Sequence, residues 1–348
     1  MTINQRHQPP FGDMPENGWE TQMMCARCKG SRGFSTAVAL IMTTAALSLL
    51  CGCSIGEWAI RKAGSALSGS GTVFSGDDDP ELIADALPFA LKTYESLLQA
   101  TPDNAQLLLA TGSAFTMYAY AFVQLPADTL PDAHIGRKKA MQLRAKKLYL
   151  RGRDYLFRAL EVRYPGAVAA LRDGKADSVL AHTAIEDTAL LYWTGASWMG
   201  AFTADKFDMA LAVEVPMAVA LVRRTLELDS TYGRGSAHDF FVSYYGAMPA
   251  SMGGSEELAR KHFARSVSLS DSLRAGPYVA LATSVCVANQ DVAEFRELLQ
   301  TALAIDIDAL PAERLANTLS QRKARWLLDH TGDLFLDAIV ETSQGDME

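Results

Sequence analysis

Apolar positions in this chain recur three and four residues apart. Val292, Phe295, Leu298, Leu299, Ala302 and Leu303 form one such stripe, which predicts an amphipathic helix. Asp291 stands just before it, and Glu294 follows three residues later, as in a capping box. Ser255 before Glu256 and Glu257 marks another helix start. Asp79 is a predicted N-cap, with Pro80 at the first helical position and Glu81 favourable to the helix dipole. No alternating run bounded by Asn-Gly or Asp-Gly turns is present, so strands are not expected. The expected fold class is all-α.

Internal repetition sharpens that expectation. Leu108-x-x-Thr111-Gly112-x-x-Phe115 returns as Leu191-x-x-Thr194-Gly195-x-x-Trp198. This is the first-helix pattern of a tetratricopeptide repeat (TPR), where a small residue lets the paired helix approach and large ones fill the seam. Second-helix patterns follow at Ala90, Tyr94, Leu97 and Pro102, and at Ala259, Phe263, Ser266 and Asp271. Looser ones fall at Ala218, Val222, Thr225 and Ser230, and at Arg153, Phe157, Leu160 and Pro165. The spacing is not a clean 34, so extra segments are expected in 125–145 and 166–185. The expectation is a degenerate array of TPR-like helix pairs.

The predicted first helices are rich in aromatics. Phe115, Tyr118 and Phe122 share a face, Tyr192, Trp193 and Trp198 occupy the next unit, and Phe240, Phe241, Tyr244 and Tyr245 crowd a third. First helices of such stacks line the concave surface, and Tyr and Trp keep a polar tip that seeks a partner or water. An apolar cleft edged by Tyr118, Trp193, Trp198 and Tyr244 is therefore expected, suited to an apolar or amphiphilic solute. An aromatic stripe that simply fills a core is the competing expectation.

The N-terminal region differs. Arg27, Lys29 and Arg32 precede an uncharged, mostly apolar run over 34–50, and then Leu50-Cys51-Gly52-Cys53-Ser54. A basic segment, an apolar segment and a small residue before the cut describe an export signal. A cysteine directly after the cut is the lipobox of bacterial lipoproteins. Gly52 supplies the small residue for Cys53, whereas Leu50 would not for Cys51, so Cys53 is the expected lipidation site. The apolar run is short for a span of roughly 20 residues. Residues 1–22 are polar, and translation is expected to begin at Met23 or Met24. Residues 1–52 are thus read as extension plus signal, 53–78 as a lipidated Gly/Ser-rich tether, and 79–348 as the helical domain.

Composition adds little and excludes some chemistry. The chain has 348 residues, 49% hydrophobic and 21% charged, with net charge -8. That is a globular balance with room for a sizeable core. No basic run is expected, which argues against nucleic acid as a partner. Of five cysteines only Cys286 lies in the body, so no disulfide framework is expected. Cys25-Ala-Arg-Cys28 has no second pair to complete a zinc site. His182 and Glu186 could share a helical face but are too few for a metal. No HExxH, GxSxG, Walker or GxGxxG motif is present. No catalytic residue, metal or cofactor is expected.

From Asp78 onward the chain resembles the T-component lipoproteins of TRAP transporters, the TatT family. The resemblance rests on Asp78-Asp79-Pro80-Glu81-Leu82, Leu87-Pro88-Phe89-Ala90-Leu91-Lys92-Thr93-Tyr94-Glu95, and the 108–122 segment ending Tyr118-Ala119-Tyr120-Ala121-Phe122. At the C-terminal end it rests on Lys323-Ala324-Arg325-Trp326-Leu327-Leu328 with Leu334-Phe335. It implies a periplasmic, lipid-anchored homotrimer of degenerate TPR pairs. The implied partner is the P-component, the solute-binding receptor of a tripartite ATP-independent transporter. A TPR scaffold for envelope assembly is the alternative.

Cys53→Ala removes the sulfur that a thioether-linked lipid needs. Radiolabelled palmitate is expected to enter the wild-type protein and not the variant; continued labelling would show that another cysteine carries the lipid.

Overall fold

The computed structural model describes residues 71–336. The signal segment, Cys25, Cys28, Cys51 and Cys53 lie outside the described residues. Among the described residues there is no strand, and the chain is all-α. Ten helices form its frame: α1 Pro80–Ala100, α2 Ala105–Ala119, α3 Ile135–Arg163, α4 Thr188–Ala204, α5 Met209–Leu228, α6 Tyr232–Ala247, α7 Glu256–Leu269, α8 Gly276–Leu281, α9 Val292–Ala304 and α10 Arg314–Asp329. Two first helices run on through a π-helical turn, α2 through Tyr120–Gln124 to Leu125–Asp128 and α8 through Ala282–Cys286 to Val287–Asn289.

The local signals act as expected. Asp79 Oδ1 accepts from Leu82 N at 3.0 Å, and Ser255 Oγ accepts from Leu258 N at 3.3 Å. Asp291 Oδ1 accepts from Glu294 N at 2.9 Å. Only half of that box forms, because the Glu294 carboxylate is bound by Arg260 at 2.6 and 2.7 Å. The charge-assisted pair outcompetes a reach back to the Asp291 amide.

Consecutive helices pair as hairpins: α2 with α3, α4 with α5, α6 with α7, and α8 with α9, in keeping with the expected array. α3 also packs along α4, so successive pairs stack. Buried apolar side chains of α1 to α6 make one cluster, and those of α6 to α10 a second. α6 divides them: Phe241 belongs to the first and Val242 to the second. Burial of a large apolar side chain such as Trp198, Phe241 or Phe295 stabilises by roughly 1.5–3 kcal/mol.

The two expected extra segments have different structures. Over 125–145, the end of α2 turns into the first turns of the long α3. Over 166–185, two short helices, Ala167–Arg172 and Ala176–Leu180, form an insert. Polar ties pin that insert. Asp187 accepts from Ala184 N at 2.9 Å and from the Tyr164 hydroxyl, and faces Arg163 Nε at 2.7 Å. Arg224 donates to Thr183 O at 3.0 Å. Gly71–Ser75, within the stretch expected as tether, is a short helix whose Phe74 packs on the core. The helical body therefore begins before Asp79.

The repeat register rests on close approach. A Cβ added at Gly112 would lie 2.7 Å from Gly152 O and clash with Leu156. One added at Gly195 would lie 2.5 Å from Val222 Cγ2 and 2.7 Å from Ala218 O. Ala218 thus takes the small position of α5 as expected. In α3 the small residue is Gly152, one position before the expected Arg153. Gly152 is pressed against Gly112 and Thr116 of α2 and Ser197 of α4. Arg153 turns away instead, and its guanidinium lies 5.1 Å from the Phe157 ring centre and 5.5 Å from that of Trp198.

Gly112→Ala and Gly195→Ala are each expected to cost about 1–3 kcal/mol, because the obstructing atoms include backbone oxygens that cannot yield. Gly136→Ala, with nothing within 4 Å, is expected to stabilise by about 0.5–1 kcal/mol. Thermal melts of the three variants check the register. Equal melting temperatures for Gly112→Ala, Gly195→Ala and wild type would show that the seams are looser than this.

Candidate ligand groove and partner surface

The four aromatic residues expected to edge a groove occupy separate neighbourhoods. Tyr118, on α2, is buried; its hydroxyl accepts from Arg144 Nη2 at 3.3 Å, and its ring lies 5.8 Å from that of Phe122. Trp198, on α4, is 1% exposed in the α4–α5 seam. Its indole N–H donates to Glu214 Oε2 at 2.7 Å, and Phe157 meets it edge-on at 5.1 Å. Trp193 is partly exposed and packs edge-on with Tyr192 at 5.2 Å. Tyr244, on α6, is also partly exposed; its hydroxyl donates to Met252 O at 3.0 Å, and it stacks with Phe240. No ring contact among the described residues joins any two of the four.

Two surface depressions flank these helices. One, of about 310 Å³, lies between the end of α6 and the start of α7 and is lined by Tyr245, Gly246, Met248, Gly254, Ser255 and Val285, among others. The other, of about 480 Å³, lies by Pro102, Asp103, Arg158, Glu161 and Val162. Neither is lined by Tyr118, Trp193, Trp198 or Tyr244.

A charged cluster that the sequence did not reveal lies beside Tyr192. Arg274 Nη1 is 2.7 Å from Asp239 Oδ2, and its Nε is 3.2 Å from Glu313 Oε2. The Ser266 hydroxyl donates to Asp239. Burial raises the Asp239 pKa, and Arg274 and Ser266 only partly offset it. Burial also raises the pKa of Tyr192, and Asp239 adds to the effect. The backbone here is strained: Gly233, Arg234 and Gly235 are all left-handed, as are Asp271 and Ser272. A left-handed arginine is uncommon, and Arg234 O accepts from Arg274 Nη1 at 3.3 Å, which holds the turn.

His238 pairs with His262, not with its neighbour Asp239. His238 Nε2 sits 3.2 Å from Ser230 O, so it carries the proton and donates. His238 Nδ1 is then the acceptor for His262 Nδ1–H, at 2.8 Å. Burial depresses both pKa values, that of His262 to about 4, with His238 and Lys261 contributing. His182 Nδ1 is engaged by Ser178 O at 2.9 Å. Among the described residues no three His, Cys, Asp or Glu side chains converge as a metal site.

Contrary to the expectation of no basic run, one is present. Every charged residue between Ile135 and Arg151 is basic: Arg137, Lys138, Lys139, Arg144, Lys146, Lys147 and Arg151. An acidic net charge hid it, since charge summed over the chain says nothing of its distribution. One stretch, Ala105–Asp128, is long and apolar enough to cross a membrane, but it is mostly buried as α2 and its continuation.

The fold defines a class: an all-helical array of stacked hairpins. Within that class, the sequence pattern of the TRAP transporter T-component matches residues 76–335. The chain belongs to that family. It is therefore an accessory component of a TRAP transporter, associated with the other transporter components and with the membrane that houses them. The family is one of transport accessories, not of enzymes. The chain is also 36% identical, over 268 residues, to an uncharacterised protein of Treponema pallidum (strain Nichols), spanning 76% of this chain and 83% of the relative.

The histidine pair makes stability pH-dependent. A histidine with its folded pKa below the unfolded value near 6.5 contributes stability above that value and loses it as pH falls toward the folded pKa. Wild-type protein is expected to lose stability between pH 6.5 and 4 through His262, on the order of 1 kcal/mol because the ring is only partly buried and solvent screens it. His262→Gln should flatten that part of the profile. Parallel profiles for the two proteins, by denaturant titration, would remove His262 as the source.

Proposed function

We propose that the protein is a periplasmic lipoprotein, anchored through Cys53, that docks the solute-binding P-component of its transporter on a TPR-like helical array. The family match over residues 76–335 carries this reading. The lipobox at Gly52-Cys53 supports export and anchoring. Stacked hairpins suit docking, because such arrays offer an extended surface with no need for a catalytic centre. Assembly as a homotrimer is part of the proposal and follows the family resemblance.

A second role is to hold or pass a small apolar or amphiphilic solute. Partly exposed Trp193 and Tyr244 support it, since both keep ring surface accessible on first helices. Tyr118 and Trp198 would stand behind them, Trp198 fixed by Glu214 and the Arg153 guanidinium. No cofactor is required for either role.

Capture of the native protein from a periplasmic extract tests the docking role. A solute receptor is expected to dominate the catch. Recovery of envelope-assembly proteins instead would favour a scaffold and overturn the transport reading. Sedimentation of the purified protein tests assembly: a species three times the protomer mass is expected, and a monomer would remove the trimer from the proposal.

A further inference from the structure

The basic run lies on the first turns of α3, which pack against the continuation of α2 and leave their outer face open. Ile135, Arg137, Lys139 and Leu143 are exposed, and the first fully buried residue of the helix is Ala145. Ile135, Lys139 and Leu143 are four apart and share a face; the two apolar ones are 51% and 49% exposed. Further along that face the α4–α5 turn covers Lys146, whose Nζ donates to Asp205 at 2.8 Å and Asp208 at 2.6 Å. The same turn presents Lys206, Phe207 and Met209. Phe207 is 94% exposed and Met209 72%. Lys206 and Lys138, with Lys323 of α10, stand around the Asp128 carboxyl. Basic groups from three elements thus converge where single apolar side chains project.

We propose that Ile135, Lys139, Leu143, Lys206, Phe207 and Met209 form a face that lies against an anionic lipid surface. The composition of this face favours lipid over a protein partner. The exposed apolar side chains, with Val213 one turn beyond Met209, are interspersed with ammonium groups. Lysine is depleted from protein–protein interfaces, whereas lysine interleaved with Phe and Leu suits the headgroup boundary, where stems and rings enter and charges stay with phosphates.

The tether part rests on the anchor reading above. If Cys53 is lipidated, residues 54–70 reach at most about 60 Å even fully extended. The body then stays within reach of the bilayer, where a face too weak to bind alone is held by its second attachment.

The test uses the processed full chain in nanodiscs of phosphatidylcholine, with or without phosphatidylglycerol. Met209→Cys carries an environment-sensitive fluorophore, while Cys286 is buried and stays unlabelled. Lipids with a nitroxide on the acyl chain serve as quencher. Quenching is expected in the anionic discs, several-fold weaker in neutral ones, and lost at high salt. Lys139→Glu with Lys147→Glu is expected to weaken it several-fold without moving the melting temperature, since neither side chain is buried. Equal quenching in neutral discs, or none in anionic discs, would overturn the proposal. So would crosslinking of Met209→Cys to a second copy or to the solute receptor, which would make the face a protein contact. The mass of the Cys53 peptide and flotation with neutral vesicles report the anchor separately. A missing lipid and an unburied probe are therefore distinct results.

Discussion

Close backbone approach at two glycines governs this structure. Gly112 lets α3 come so near to α2 that a methyl group would meet the carbonyl of Gly152, and Gly195 does the same between α4 and α5. Gly152 is the shared point, touching α2 and α4 at once. With the axes this close, Leu156, Phe157 and Trp198 fill the seams and the interior excludes water. A wider spacing would open voids beside these side chains, and each void forfeits contacts.

Buried polar groups tie those seams and the later helices together. Trp198 donates to Glu214, Ser197 to Tyr149 O, and Tyr149 to Gln124 in the π-helical turn. Gln321 of α10 donates to the carbonyls of Ala302 and Ile305 and so closes the end of α9. Asn317 ties Leu273 and Ala275 ahead of α8. Each bond removes the penalty of an unsatisfied buried group. Together they fix how pairs stack, and hence which side chains stay on the surface. The basic end of α3 and the Asp239–Arg274–Glu313 cluster give two regions of the array different chemistry.

Much of the fold was legible because its determinants are local. Caps at Asp79, Ser255 and Asp291 need only the next few residues. The Thr-Gly motifs at 111–112 and 194–195 located the first helices, and the second-helix pattern at Ala218 found its true register. The same pattern slipped by one at Arg153. A loose motif cannot tell which of two neighbours faces inward when both Gly152 and Arg153 have a use: one for approach, the other for covering Phe157 and Trp198.

The sequence by itself determined helix, repeat and family, since spacing, capping and motif are properties of neighbouring residues. It also held the basic run of α3 in plain view, although the net charge concealed it. Only the tertiary structure decided which aromatic rings were sealed and which stayed accessible. Trp193 and Trp198 lie five residues apart on one helix; Trp198 meets Phe157 of α3 and Glu214 of α5, whereas Trp193 packs on Tyr192 and stays partly exposed. The same holds for Asp239, Arg274 and Glu313, which come from α6, the α7–α8 turn and the start of α10. Their meeting depends on how hairpins stack over long separations, and such stacking is set by the summed packing of the seams, which no local pattern encodes.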